Sequence, residues 1–319
     1  METIGVLLIN MGGPENLEAV RPFLYNLFSD RFIIKLGPAF MQKPIAAMIA
    51  TLRCGKTMAM YSKIGGGSPI GKITALQAEK LEAALASSSD DKNAYKVFVV
   101  MRYTPPFIGE TLQKAVKSGI KRFIALTLYP HECLATTGSA FEVLRTEVER
   151  LGVSCKFINS YADNELYIKA LVENINGKLL EFQGNCRDIL FSAHGLPQYF
   201  VDEGDPYVNE LTKTIEKIKE QITGYNYHLS YQSRSGPVKW IEPATEDKIR
   251  VLADEGVKNL LIVPISFVSD HIETLYEIDI LYKDLAKEHG ITMLRPKALN
   301  DGNVFIQALA ALVLSNTHF

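Results

Sequence analysis

Gly119-Ile-Lys-Arg-Phe-Ile-Ala-Leu126 and Gly256-Val-Lys-Asn-Leu-Leu-Ile-Val263 are two versions of one pattern. Each begins at a glycine behind an amphipathic helical stretch and becomes a short apolar strand. Each strand then enters a polar loop with a histidine, His131 in the first and His271 in the second. A chain that repeats this unit is built from two similar α/β halves.

Working outward, further short apolar strands are expected at 5–10, 95–103, 122–128, 155–160, 188–193, 227–232, 259–265 and 291–294. Helical periodicity fills most gaps, at 73–86, 110–117, 142–151, 166–182, 206–222 and 245–254. Alternation of this kind predicts parallel, doubly wound sheets with helices on both faces. The fold class is therefore α/β, with two similar halves of parallel sheet flanked by helices. The expected domains are 1–150 plus 302–319, and 151–301, with the last helix, from about Asn303, returning to the first half. At 319 residues the chain suits two domains of roughly 150 residues each.

Composition excludes several classes. A net charge of −2 gives no nucleic-acid footprint. No apolar run is long enough to span a bilayer, and Met1-Glu-Thr-Ile leads straight into a strand without a basic leader. The four cysteines, Cys54, Cys133, Cys155 and Cys186, make no C-x2-C pair, so spacing signals neither zinc nor a cluster. Free thiols without an export signal predict a cytoplasmic protein.

In an open α/β sheet the informative positions are the C-terminal strand ends. The first half offers Asn10-Met11-Gly12-Gly13-Pro14, Met101-Arg102-Tyr103 and Tyr129-Pro130-His131-Glu132 there. The second offers His194, then Ser269-Asp270-His271 with Glu273 and Glu277. Should the halves face each other, these groups converge on a cleft between domains. Glu273 and Glu277, four apart, share a helical face. The bland alternative makes Asp270 and Glu273 a capping box and Glu277 a solvated charge. An imidazole is the side chain best poised to accept a proton near neutral pH, so His194 opposed by Glu273 suits proton removal or metal binding.

Gly65-Gly-Gly-Ser68-Pro69 reads as a helix start, with Ser68 the N-cap and Pro69 the first helical residue. Gly66 to Lys72 mimics a P-loop, but residue 73 is Ile where Ser or Thr would hold magnesium. Residues 32–52 are apolar but interrupted by Lys35, Pro38, Lys43 and Pro44. They read either as a helix pair on the core or as an exposed apolar lip, allowing at most peripheral membrane contact. Arg53 and Lys56 beside that lip suit an amphipathic ligand with carboxylates at one edge.

With these segments in hand, the chain resembles the ferrochelatases over essentially its whole length. The segments that carry the likeness are Leu8-Ile-Asn-Met-Gly-Gly-Pro14, Tyr61–Pro69 and Met101-Arg-Tyr103, then Tyr129-Pro130 with Thr136-Thr-Gly-Ser139. They continue with Ser192-Ala-His-Gly-Leu-Pro197, Gly204-Asp-Pro-Tyr207, Tyr231-Gln-Ser-Arg-Ser-Gly-Pro237 with Trp240, and Ser269-Asp-His-Ile-Glu-Thr-Leu-Tyr-Glu277.

The resemblance implies that the two halves are Rossmann-like, and it implies insertion of Fe(II) into protoporphyrin IX to give haem, with porphyrin and ferrous iron as partners. It implies His194 and Glu273 as catalytic and metal-contacting residues. Met11, Arg102, Tyr103, Phe267, Asp270, His271 and Glu277 would line the macrocycle, and Arg53, Lys56 and Ser68 would hold its propionates. That chemistry needs a distorted porphyrin, acceptors for two pyrrole protons, and N and O ligands that release iron readily. Leu281 stands where some relatives carry a third acid, which argues against an outer metal site. Some relatives bind a [2Fe–2S] cluster through C-terminal cysteines; the last cysteine here is Cys186, so no cofactor is expected. A coproporphyrin ferrochelatase and a non-catalytic porphyrin or haem carrier are the rival readings; a carrier would not need His194 opposite Glu273.

Overall fold

A computed structural model describes residues 2–88 and 93–318. The chain divides into two compact units, Met1–Ser160 with Asp301–Phe319, and Tyr161–Asn300. In the first, strands β1 (Glu2–Asn10), β2 (Asn93–Met101), β3 (Arg122–Thr127) and β4 (Ser154–Ile158) form a parallel sheet in the order β2-β1-β3-β4. Helices α1 (Val20–Ser29), α2 (Gln42–Ser62), α3 (Ile70–Ser88), α4 (Ile108–Lys117) and α5 (Ser139–Leu151) surround it. The second unit repeats the plan: β5 (Asp188–His194), β6 (Asn226–Gln232), β7 (Asn259–Pro264) and β8 (Thr292–Leu294) are parallel in the order β6-β5-β7-β8. Its helices are α6 (Glu165–Leu179), α7 (Gln198–Asp202), α8 (Tyr207–Gln221), α9 (Thr245–Asp254) and α10 (Lys283–Glu288). The last helix, α11 (Asn303–Leu314), packs on α3 of the first unit, where Lys80 Nζ meets Asp301 Oδ2 at 2.7 Å.

The central strands bury both faces, which is why they are apolar without alternation: Ile4 and Val6 to Ile9 in β1, and Ile189 to Ala193 in β5, are closed to solvent. Helices cover them with one face. In α4, Ile108, Leu112 and Ala115 point inward, while Glu110 sits in the first turn and Lys114 and Lys117 in the last, matching the helix dipole. Burying Leu112 contributes about 1.5–3 kcal/mol.

Both units interrupt α-helix at the same topological place. After β3 the chain forms a π-helical turn, Leu134–Gly138, that runs into α5; after β7 a longer π-helix, Glu273–Tyr282, runs into α10. π-Helical segments are rare and concentrate at functional sites.

Residues 32–52 are not a helix pair. The stretch is a loop that enters α2, a single helix through Ser62, with Pro44 near its start where a missing N–H costs nothing. Gln42, 3 % exposed, pins the loop: its amide donates to the carbonyls of Phe28 (2.8 Å) and Ile34 (2.9 Å), and its oxygen accepts from Leu36 N–H at 3.1 Å. Phe40, Met48 and Leu52 remain exposed, so the stretch does present an apolar surface. No helix among the described residues is long and apolar enough to cross a membrane.

The glycine loops are packing devices. Ser68 N–H donates to Pro14 carbonyl at 2.7 Å, and Gly66 N–H to Tyr61 carbonyl at 2.9 Å. Ser68 Oγ accepts from Ile70 N–H at 3.4 Å, the N-cap geometry expected before α3. A Cβ on Gly67 would lie 2.2 Å from the Glu15 carbonyl oxygen, whereas one on Gly71 would meet nothing within 4 Å. Gly67→Ala should therefore lower stability by about 1–3 kcal/mol. Gly71→Ala, inside α3, should raise it by up to about 1 kcal/mol. Urea melts of both variants check the opposite signs; equal effects would mean that Gly67 and Gly71 do not pack as described.

Candidate active site

His194 ends β5, the central strand of the second unit, and the sheet order turns outward on either side of it, to β6 and to β7. Parallel strands bring their C-terminal ends to one edge, and the crevice at such a reversal is where open α/β sheets place ligands. The His194 backbone is fixed at both polar groups. Its N–H donates to Ser266 Oγ at 3.1 Å, its carbonyl accepts from Tyr207 O–H at 3.0 Å, and those two hydroxyls lie 2.6 Å apart. Gly195 N–H then donates to the Gln232 carbonyl at 2.8 Å, tying the residue after His194 to the end of β6.

The ring meets Glu273 at the first residue of the π-helix, with His194 Nδ1 2.7 Å from Glu273 Oε2. Glu273 is thus no capping residue. The carboxylate accepts a hydrogen bond from Nδ1–H of the neutral imidazole, which leaves the lone pair on Nε2. The His194 side chain is 40 % exposed and that of Glu273 only 14 %, so the acid backs the imidazole from the protein side. His271 donates Nδ1–H to the Ser269 carbonyl at 3.0 Å and points Nε2 toward Glu273 Oε1 at 3.8 Å. Phe267 stands edge-on to both rings, its centroid 4.5 Å from His271 and 6.1 Å from His194.

Burial pulls the His194 pKa down, but the charge and hydrogen bond of Glu273, with Glu277 behind, more than reverse this and leave it raised. Burial pushes Glu273 up; the His194 imidazole, helped by His271, overrides it and holds the acid well below the usual carboxylate range. Glu277 goes the other way. Burial, and then the charge of Glu273, push it up to about 7 against the hydrogen bond from Ser233, the charge of His194 and the hydrogen bond from Gln232. Two carboxyl groups four residues apart are thereby split into an ionised acid and one that holds its proton near neutrality.

Gln232 and Ser233 clamp this pair. Gln232 Nε2 lies 3.1 Å from the Glu273 carbonyl and 3.1 Å from Glu277 Oε2. Ser233 Oγ lies 2.8 Å from Glu273 Oε2 and 2.6 Å from Glu277 Oε2. Behind them, Ser192 Oγ donates to Gln232 Oε1 at 2.8 Å and meets Thr245 Oγ1 at 3.0 Å, which in turn meets Ser230 Oγ at 3.0 Å. Those four side chains are closed to solvent, so the amide of Gln232 is oriented by a buried network.

Asp270 faces elsewhere. Its carboxylate accepts from Arg295 Nη1 at 2.7 Å, Asn300 Nδ2 at 2.9 Å and Thr274 Oγ1 at 3.0 Å. Arg295 also grips Asp279, and its side chain is only 6 % exposed. Asp270 therefore closes the loop ahead of the π-helix.

In the first unit, Arg102 and Tyr103 share one buried acid, Asp30. Arg102 Nη2 lies 2.8 Å and Tyr103 O–H 2.7 Å from Asp30 Oδ2, and Ser139 Oγ donates to that oxygen while accepting from Arg102 Nε–H at 2.8 Å. Met11 follows β1, its carbonyl accepting from Tyr103 N–H at 3.0 Å. Arg53 and Lys56 lie exposed on α2, with Arg53 over the Phe28 ring at 5.4 Å. Asp30, Ser139, Tyr207, Gln232, Ser233, Ser266 and Arg295 are additions to the residues read from sequence. Ser139, Tyr207, Gln232 and Ser233 lie inside the quoted motifs, which was their signal. Asp30 and Arg295 lie outside every motif, and only the fold brings them to their partners.

Duplicated four-stranded parallel sheets with a histidine and acids at the strand ends define a two-domain chelatase-type fold. The sirohydrochlorin chelatase SirB from Bacillus subtilis subspecies spizizenii, solved with cobalt, superposes with a TM-score of 0.56 at 10 % identity, over 99 % of this chain and 95 % of that one. The family model described as Ferrochelatase matches residues 3–317. Ferrochelatases of Desulfotalea psychrophila (48 % identical, 98 % of this chain and 97 % of theirs) and Geotalea daltonii (47 %, 98 % and 98 %) are similar throughout. The chain belongs to the ferrochelatase family, and it is an enzyme of the metal-chelatase class.

The Asp270 cluster makes a pH prediction. Burial alone would raise its pKa, but Arg295, then Asn300 and Thr274, hold it below the usual value. A carboxyl depressed in the folded state stabilises it above the unfolded pKa of about 4, and that contribution fades as pH falls through the folded value. Asp270→Asn should thus cost about 1.5–3 kcal/mol at pH 7, with the gap to the native protein narrowing below about pH 4. Urea unfolding at pH 7 and pH 3 measures it; a gap that widens in acid contradicts the assignment.

Proposed function

We propose that the protein inserts Fe(II) into protoporphyrin IX, forming haem and releasing two protons. The observation that supports this most is the His194–Glu273 pair, 2.7 Å apart at the switch point of the second unit. With Nδ1 committed to Glu273, Nε2 is the atom that accepts a pyrrole proton, and the raised pKa of His194 strengthens it as a base. The same imidazole and carboxylate offer one N and one O donor to ferrous iron in transit, a set that holds the ion without trapping it. Met11, Arg102, Tyr103, Phe267, His271 and Glu277 are the residues we assign to the macrocycle side; Asp270, turned to Arg295 and Asn300, supports the loop that carries His271. Arg53, Lys56 and Ser68 are assigned to its propionates.

Two features favour protoporphyrin over coproporphyrin: Arg53 and Lys56 are the two cations that directly follow the 32–52 stretch, and that stretch exposes Phe40, Met48 and Leu52. A substrate with four propionates asks for more cations and less apolar surface. We assign no resident cofactor, because the last cysteine is Cys186; stoichiometric acid-labile sulfide in anaerobically purified protein would contradict this. We place the enzyme in the cytoplasm with at most peripheral membrane contact. Resistance to carbonate extraction would contradict that placement.

An anaerobic assay with Fe(II) and each porphyrin, following the Soret band, tests the reading. Protoporphyrin should be metallated with the higher kcat/KM. His194→Ala should retain porphyrin binding and lose activity by about 10²–10⁴-fold or more. Glu273→Gln should be severely impaired, and the double variant little worse than the worse single one. Near-native turnover by folded His194→Ala would leave the carrier reading or another base.

Arg53→Ala and Lys56→Ala should act mainly on KM for porphyrin, since each charge-assisted bond to a carboxylate contributes about 1.5–3 kcal/mol when partly shielded. An unchanged KM in both variants and in their double would place the propionates elsewhere.

A further inference from the structure

The run Glu273-Thr-Leu-Tyr-Glu-Ile-Asp-Ile-Leu-Tyr282 contains neither glycine nor proline, yet all of it is π-helix. No helix breaker forces it out of α geometry, and π-helical runs of this length are rare. The geometry is therefore imposed by partners outside the run.

Arg295, the first residue beyond β8, supplies them with all three guanidinium nitrogens. Nε and Nη2 donate to Asp279 Oδ1 and Oδ2 at 2.7 and 2.5 Å, while Nη1 donates to Asp270 Oδ1 at 2.7 Å and to the Pro296 carbonyl at 3.2 Å. The same Asp270 oxygen accepts from Thr274 Oγ1 at 3.0 Å, and that hydroxyl accepts in turn from His271 N–H at 3.0 Å. Thr274 is closed to solvent, and the Arg295 side chain is 6 % exposed.

Thr274 and Asp279 thus both turn toward one Arg295–Asp270 pair, and they stand five residues apart in the helix. At 3.6 residues per turn, positions five apart point about 140° away from each other around the axis, too far to meet at one guanidinium and its carboxylate. A helix bonded i to i+5 brings them to the same side. The fork of Arg295 is planar and rigid, so it fits the π form and rejects the α form.

We propose that Arg295 is a positioning residue for metal insertion: clamped between Asp270 and Asp279, it holds the segment after β7 in π-helical form and so keeps Glu273 in register with His194. Glu273 is the residue before Thr274, with its carboxylate 2.7 Å from His194 Nδ1. Tightening to α-helix separates Thr274 from Asp279 and moves the turn that carries Glu273. Arg295 acts through the helix and through no contact with the reacting pair. The kinetic consequence rests on the chelatase reading above; the clamp itself does not.

The test uses the full-length enzyme with Arg295→Lys, Asp279→Asn and Thr274→Val. Lysine keeps the charge but cannot span both acids as the fork does. Asp279→Asn breaks the forked contact at a partly exposed side chain, so it remains informative should Arg295→Lys fail to fold. Amide hydrogen exchange, read by mass spectrometry, should speed about tenfold or more across 273–282 in Asp279→Asn while β5 to β7 stay near native. In the anaerobic assay with Fe(II) and protoporphyrin IX, kcat should fall about 10–100-fold, as for a slightly misplaced group, with KM for porphyrin within about twofold. A merely structural role would leave kcat of the folded variant unchanged. Thr274→Val combined with Asp279→Asn should be little slower than the slower single variant, as expected of one unit. Native exchange over 273–282, native kcat in folded Asp279→Asn, or losses that multiply in the double variant would each overturn the clamp. Absence of chelation by the native enzyme with either porphyrin would instead defeat the proposed function, and the exchange measurement then still decides the clamp.

Discussion

The hydrogen bond from His194 Nδ1 to Glu273 Oε2 joins the end of β5 to the first turn of the helix that follows β7. Everything around it is arranged to make a mostly buried carboxylate acceptable there. A lone ionised acid with 14 % of its side chain exposed would take up a proton rather than stay charged. Glu273 stays ionised because an imidazole and a hydroxyl meet one of its oxygens and a second imidazole approaches the other. That charge in turn makes His194 the stronger base. The pair is therefore mutually defining: neither group has its chemistry without the other.

Precision at this pair is built from backbone and fully buried polar groups. Tyr207 and Ser266 hold both polar atoms of the His194 peptide, and Gln232 holds a carbonyl of the π-helix as well as Glu277. The Asp270–Arg295–Asp279 bridge fixes the loop from the other side. In a buried network a missing partner costs more than an extra one gains, so each of these side chains is constrained by the ones behind it. The π-helical geometry contributes by stacking Glu273 over Glu277 closely enough for one hydroxyl to touch both.

The strands were legible because a parallel sheet covered on both sides selects continuous apolar runs, and all eight expected runs are strands to within a few residues. His194, Glu273 and Glu277 were legible because they follow such runs at strand ends. Residues 32–52 were read less well. Their prolines and lysines suggest breaks, yet α2 tolerates Pro44 in its first turn and turns Lys43 to solvent. The π-helices were not read from the periodicity, since ten residues hold too few apolar repeats to separate i→i+4 from i→i+5 spacing. Asp30 was silent for a different reason: the partners that define it, Arg102 and Ser139, are far along the chain. Long-range polar pairing has no local signature.

The duplicated architecture isolates what the fold contributes from what the residues contribute. Both units place a histidine in the loop after the third strand of the sheet and follow it with π-helix. In the first, burial alone drives the His131 pKa down to about 3, so that ring is a neutral part of the interior. In the second, His271 lies beside an ionised Glu273, and a further imidazole, His194, arrives from the neighbouring strand. The backbone supplies the same strand, loop and π-helix twice. The two π-helices differ at their first residue: Glu273 in one unit, Leu134 in the other. A leucine there offers no charge to raise the basicity of an imidazole, and a buried histidine without such a charge stays unprotonated across the physiological range.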